Sequence, residues 1–119
     1  MSQRYSSTKY NLMWFRSDLR VFDNPAFVSA MSQGPTIAVY IVTEGQWQAH
    51  GISPAKRALI LRQVLTLHDE LEKLNVPLIV LSANSFNDIP DVLADFARTH
   101  SVKQIFFNEE YEVNETHLK

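Results

Sequence analysis

Met13-Trp14-Phe15-Arg16-Ser17-Asp18-Leu19-Arg20-Val21-Phe22-Asp23-Asn24-Pro25-Ala26 is the stretch whose reading decides the fold. It is entered from an aromatic and aliphatic run, Tyr10 to Phe15, that stops at Arg16, the pattern of a strand buried on both faces. Two arginines and two aspartates then make a polar loop. Asn24-Pro25 opens a helix, with the Asn side chain as cap and proline at the first helical position, where a missing N–H costs nothing.

The same alternation continues to the end of the chain. Gly34-Pro35 breaks the first helix, and Thr36 to Val42 is a β-branched run. Ser53-Pro54 repeats the cap-plus-proline device. The helix it opens carries Ile60, Val64, Leu67, Leu71 and Leu74 at spacings of four and three, with Arg62, Thr66, Asp69, Glu70 and Lys73 on the other face. Pro77 to Leu81 is a third strand. Ile89, Val92, Leu93 and Phe96 mark the buried side of a third helix starting near Asn87 or Asp88, and Gln104 to Phe107 is a fourth strand. Strands that are near-continuous apolar runs, alternating with amphipathic helices, predict an α/β class: a doubly wound, Rossmann-like parallel sheet with helices on both faces. Residues 1–9 are expected to be a flexible tail and 10–119 the α/β domain.

The chain has 119 residues, enough for one domain with a modest core and not for a second. No apolar run approaches the roughly 20 residues of a membrane-spanning helix, and Met1 to Lys9 lacks the apolar segment of a secretory signal. Cysteine is absent, which excludes disulfides, thiolate nucleophiles and sulfur-rich metal sites, and is compatible with a reducing cytosol. A cytoplasmic location is expected. Eleven basic residues are scattered among thirteen acids for a formal charge of −2, so direct DNA binding by this chain is not expected.

Ligands of open parallel sheets sit beyond the carboxyl ends of the strands, near the point where strand order reverses. Three polar segments meet that description: Arg16 to Arg20, Thr43 to His50, and Asn108 to Glu115. Arg16, Asp18, Arg20 and Asp23 suit either an anion site or, the commoner outcome, an ion-pair cluster that fixes the loop. Glycine occurs only at 34, 45 and 51, so neither a Gly-x-Gly-x-x-Gly cradle nor a P-loop is present. His50 lies in a loop with Trp47, where an imidazole and an indole can meet a planar ligand; a solvated loop histidine is the plainer alternative. His68 and His100 have no spaced partner, and no metal site is expected. Glu109, Glu110, Glu112 and Glu115 suggest either paired carboxylates or, more commonly, a solvated face. Asn114-Glu115 is different in kind, since a carboxylate accepts two hydrogen bonds from a guanidine-like edge such as that of a pterin, although helix capping by Asn114 explains the same residue.

Three ordered patches carry a family resemblance: Trp14-Phe15-Arg16 with Asp18-Leu19-Arg20 and Asp23-Asn24; Gln46-Trp47 to His50 with Ile52-Ser53-Pro54; and Asn108 with Tyr111-Glu112-Val113-Asn114-Glu115. Together they resemble the photolyase/cryptochrome family, most nearly bacterial class I cyclobutane-pyrimidine-dimer photolyases with a folate antenna. The resemblance implies strand order 3-2-1-4 with a fifth strand after the helix near Asn114. It also implies an N-terminal domain that helps hold methenyltetrahydrofolate, through Glu115, Asn114 and His50, beside a larger helical domain that binds FAD and DNA. The helical domain is not in this sequence. The chain is therefore expected to be an N-terminal antenna-domain fragment, inactive alone, with a half-site for folate, and to associate through the sheet edge left by the missing fifth strand. A cryptochrome-type photoreceptor and a stand-alone nucleotide-binding α/β module are the competing expectations.

Overall fold

The computed structural model describes residues 9–49 and 51–109. The tail expected at 1–9 falls outside them except for Lys9. Strand β1 (Tyr10–Phe15) leads to helix α1 (Pro25–Gln33), β2 (Thr36–Thr43), a short helix α2 (Glu44–Ala49) and the long helix α3 (Pro54–Lys73). Strand β3 (Leu78–Ala83), a 3₁₀ turn (Phe86–Asp88), α4 (Ile89–Thr99) and β4 (Val102–Phe106) follow. All strand pairs are parallel and the sheet order is β3-β2-β1-β4, the α/β arrangement expected.

Period-two alternation sorts the central strands into two cores. Leu12, Ile37, Val39 and Ile41 face α4 and meet Leu93 and Phe96. Met13, Phe15 and Ala38 face the opposite way and meet Phe27 of α1 with Leu67 and Leu71 of α3. A strand buried on both faces has no polar side, which is why β1 and β2 are apolar between the buried threonines, Thr36 and Thr43, that open and close β2. Asn11 is the exception: fully buried, its amide donates to the Ala30 carbonyl at 2.9 Å and ties α1 to the sheet.

The helix ends follow their local chemistry. The Asn24 and Ser53 side chains accept from the Phe27 and Lys56 N–H groups at 3.1 Å each. Gly34 closes α1 at φ 151°, a conformation closed to other residues. After α3 the chain turns through Asn75 at φ 62°; the Asn75 N–H returns to the Glu72 carbonyl and the Val76 N–H to the Leu71 carbonyl. That pair of bonds is a Schellman closure, with asparagine tolerating the left-handed position. Val76 and Leu71 pack in the same core.

Three expectations need correction. Glu44–Ala49 is a helix rather than a loop, although it has no apolar period and carries Gly45, with only the Thr43-x-x-Gln46 pattern as a helix-start signal. Leu74 is exposed because α3 ends there, while the apolar stripe holds at Val64, Leu67 and Leu71. The fourth strand begins two residues earlier than expected, placing Lys103 within it rather than beside it.

Leu67 is 0% exposed and Leu65, on the outer side of the same helix, 64%. Leu67→Ala is expected to cost about 2–5 kcal/mol and Leu65→Ala no more than about 0.5 kcal/mol, measured by urea unfolding. Among the described residues β4 pairs only with β1, so its outer edge is unpartnered there. Edge-to-edge association of the 119-residue chain is expected at high concentration, opposed by the charge of Lys103. Phe106 packs toward the α1/α3 core, so the informative variant is Ile105→Lys, at a position 38% exposed. Sedimentation across a wide concentration range checks this, and a monomer throughout would refute it.

Candidate functional site

A cleft of about 640 Å³ opens at the carboxyl ends of β1 and β2 on the side of the sheet that carries α4. Trp14, Phe15, Arg16 and Ser17 come from the end of β1, and Tyr40, Ile41 and Thr43 from β2. Trp47 of α2 and Ile52 form one flank; Phe86, Ile89, Pro90 and Leu93 form another. This volume lies within the roughly 300–1,000 Å³ of small-molecule sites, and the lining is mostly apolar with hydroxyls and a guanidinium at the rim. The indoles of Trp14 and Trp47 and the phenyl ring of Phe86 suit a flat aromatic ligand, whereas the Phe15 ring is buried in the opposite core.

Among the described residues the lining contains no carboxylate, imidazole or thiol. The segments after the first and second strands meet there as expected. The segment after the third, Phe86 to Leu93, was not anticipated: its apolar residues read only as the buried side of a helix start, facing the sheet.

Of the expected site residues, His50, Asn114 and Glu115 lie outside the described residues. Trp47 and Ile52, which bracket position 50, both line the cleft, and the Ile52 N–H donates to the Trp47 carbonyl at 3.1 Å. The Arg57 guanidinium stands 5.8 Å from the Trp47 ring centroid. Arg16 lies 4.9 Å from the Trp14 ring and 5.9 Å from that of Phe107, and those two rings are 5.2 Å apart. A cation over paired aromatic faces is held in place by their quadrupoles.

The loop after β1 is ordered differently from the ion-pair cluster expected. Arg20 donates to the Asp23 backbone carbonyl, at 3.1 and 3.3 Å, rather than to a carboxylate. Asp23 itself adopts φ 52°. The Asp18 carboxylate accepts from the Arg16 backbone N–H at 3.0 Å and from the Asn108 side-chain amide. That amide also donates to the Asn24 side-chain oxygen, Oδ1, at 2.6 Å, and the Asn108 side-chain oxygen accepts from the Ala26 N–H at 3.0 Å. Asn24 is 1% exposed, and its own amide donates to the Arg20 carbonyl at 2.9 Å. Neutral amides thus link β4, the first loop and the start of α1.

His68, expected to be alone, has Asp69 and Glu72 beside it, with ligand atoms within 4.8 Å of one another. All three are exposed on α3 and away from the cleft lining, as suits a surface ion pair.

Asn24→Ala removes a helix cap together with two further hydrogen bonds at a buried position. It is expected to cost clearly more than Ser53→Ala, whose exposed cap is worth about 1 kcal/mol. Denaturant midpoints of the two variants give the comparison.

The family model described as DNA photolyase matches residues 11–119. The deoxyribodipyrimidine photo-lyase of Vibrio cholerae is 39% identical over 105 residues, covering 87% of this chain and 22% of the relative. That of Escherichia coli K12 is 36% identical over 107 residues, 88% of this chain and 23% of the relative. Cryptochrome-1 of Arabidopsis thaliana is 32% identical over 105 residues, 86% of this chain and 14% of that protein. The chain spans about a fifth of the length of the bacterial relatives it matches. No described helix is long and apolar enough to cross a membrane. With its parallel sheet of order 3-2-1-4, its aromatic cleft and its match over residues 11–119, this chain belongs to the DNA photolyase family.

Proposed function

We propose that this chain is the N-terminal, chromophore-holding domain of a light-driven, flavin-dependent photolyase that repairs cyclobutane pyrimidine dimers in DNA. The observation that carries the reading is the cleft, whose described lining is mostly apolar and aromatic, on a chain whose bacterial relatives are named deoxyribodipyrimidine photo-lyases. A domain of this kind holds a light absorber. FAD and DNA contacts are assigned to the rest of the parent protein, whose relatives are several times longer than this chain.

Methenyltetrahydrofolate is the proposed antenna. Its pterin ring fits the cleft in chemistry, since Trp14, Trp47 and Phe86 offer faces to a planar heterocycle and Thr43 and Ser17 offer hydroxyls at the rim. Glu115 and Asn114 are proposed to take the guanidine-like edge of the pterin, and His50 to lie against the folate. Bound there, the folate supplies near-ultraviolet or blue-light absorption and passes the excitation to reduced flavin. A cryptochrome-type parent is the second reading, favoured by the similarity to cryptochrome-1. Light-driven repair of a dimer-containing oligonucleotide by the full-length parent separates the two.

The 119-residue chain alone is expected to show no dimer repair, with or without added FAD; measurable repair would overturn the assignment of the flavin site elsewhere. In the full-length parent, Glu115→Gln removes a charge-assisted pair worth about 1.5–3 kcal/mol, a loss of roughly ten- to a hundredfold in folate affinity. Unchanged folate content in that variant would remove Glu115 from the site.

A further inference from the structure

We infer that Asn108, which lies outside the cleft lining, is a positioning residue that sets the Arg16–Trp14 wall of the cleft. Its side chain uses both N–H groups and its carbonyl oxygen on partners from three places: Asp18 in the first loop, the cap residue Asn24, and the Ala26 N–H at the start of α1. With the side chain held at three points, its backbone carbonyl has a defined position, and that carbonyl accepts from Arg16 Nη1 at 3.4 Å. The Arg16 backbone is fixed from the other side through the Asp18 carboxylate. Arg16 in turn lies over the ring of Trp14, and both residues line the cleft.

The requirement is specific to an amide. Aspartate at 108 has no N–H for Asp18 or Asn24 and places a second carboxylate beside the first. Leucine fills a similar volume and satisfies none of the three partners. The pair Asp18→Asn with Asn108→Asp restores the loop-to-strand bond with donor and acceptor exchanged. Through Arg16 and Trp14, the effect of changing Asn108 reaches the ligand wall without Asn108 touching the ligand. The consequence for binding rests on the reading of the cleft as the chromophore site.

Two measurements test the inference separately. The first needs no ligand. In a Trp47→Phe background Trp14 is the single tryptophan of the 119-residue chain, and its emission and acrylamide quenching report the wall directly. Asn108→Asp and Asn108→Leu are expected to shift Trp14 emission and raise its quenching, and the Asp18→Asn/Asn108→Asp pair to recover much of both. An unchanged Trp14 signal in folded variants with a lowered Tm would reduce Asn108 to a merely structural role and overturn the inference. The exchanged pair restores the bond between 18 and 108 but not the one to Asn24, so should the single variants not fold, the pair supports the role if it folds with Trp14 near its original signal and refutes it if it folds with Trp14 displaced. Should the pair not fold either, Asp18→Ala, which removes a single acceptor of the Asn108 amide, decides by the same Trp14 readout, an unchanged signal overturning the inference. The second measurement titrates methenyltetrahydrofolate into the full-length parent and its Asn108→Asp variant below their Tm, with an expected loss of about tenfold. Equal affinity overturns the coupling to the ligand, whereas no binding by the unsubstituted parent refutes the chromophore reading and leaves the Trp14 result to judge the wall.

Discussion

A side-chain amide has two donors and one acceptor of consequence, and Asn108 distributes all three across a chain crossing that is otherwise weakly joined. In a sheet of order 3-2-1-4 the chain leaves β1 toward β2 on one side, while β4 arrives on the other side of β1. At that reversal the loop after β1 and the end of β4 diverge, and a gap opens between them. Hydrogen bonds from Asn108 to Asp18, Asn24 and Ala26 span it. They couple the strand end, the loop and the helix cap into one unit, and the position of Arg16 over Trp14 depends on it.

The use of neutral amides at this point has an energetic reason. Asn24 is almost wholly buried, and removing an ion pair from water there would incur a desolvation cost comparable to its Coulomb gain. Amide-to-carbonyl bonds avoid that cost, and the single carboxylate involved, Asp18, is satisfied by two N–H groups. The arginines of the loop are left for other contacts. Arg20 braces a turn through a backbone carbonyl, and Arg16 lies on aromatic faces at the cleft.

The cleft beside this unit offers aromatic faces to a planar ligand, and the proposed chromophore role rests on that character. The family assignment and the cleft therefore support the same reading from independent directions, one from similarity along the chain and the other from the character of the lining.

Residues Tyr10 to Phe15, Asn24-Pro25, Ser53-Pro54 and the Val64-Leu67-Leu71 stripe were legible in the sequence because their signals are local: apolar runs, caps and helical period act over a few residues and need no partner elsewhere. The α/β class and the parallel sheet followed from their alternation. The helix at Glu44–Ala49 was not read from the sequence, since a six-residue helix with a glycine and no apolar period is stabilised by what it packs on, with Gly45 close enough to the Asn84 carbonyl that a Cβ would fall 2.3 Å from it. Nor could the sequence tell that Phe86 to Leu93 would wall the cleft, or that Asn108, eighty-four positions from Asn24, would close on it. What the sequence determined by itself was the set of elements, their order and the family, all carried by short-range patterns. Which side chains share the cleft, and which polar groups satisfy one another across the strand reversal, was decided only by the tertiary structure, because both depend on distances between residues that no local periodicity encodes.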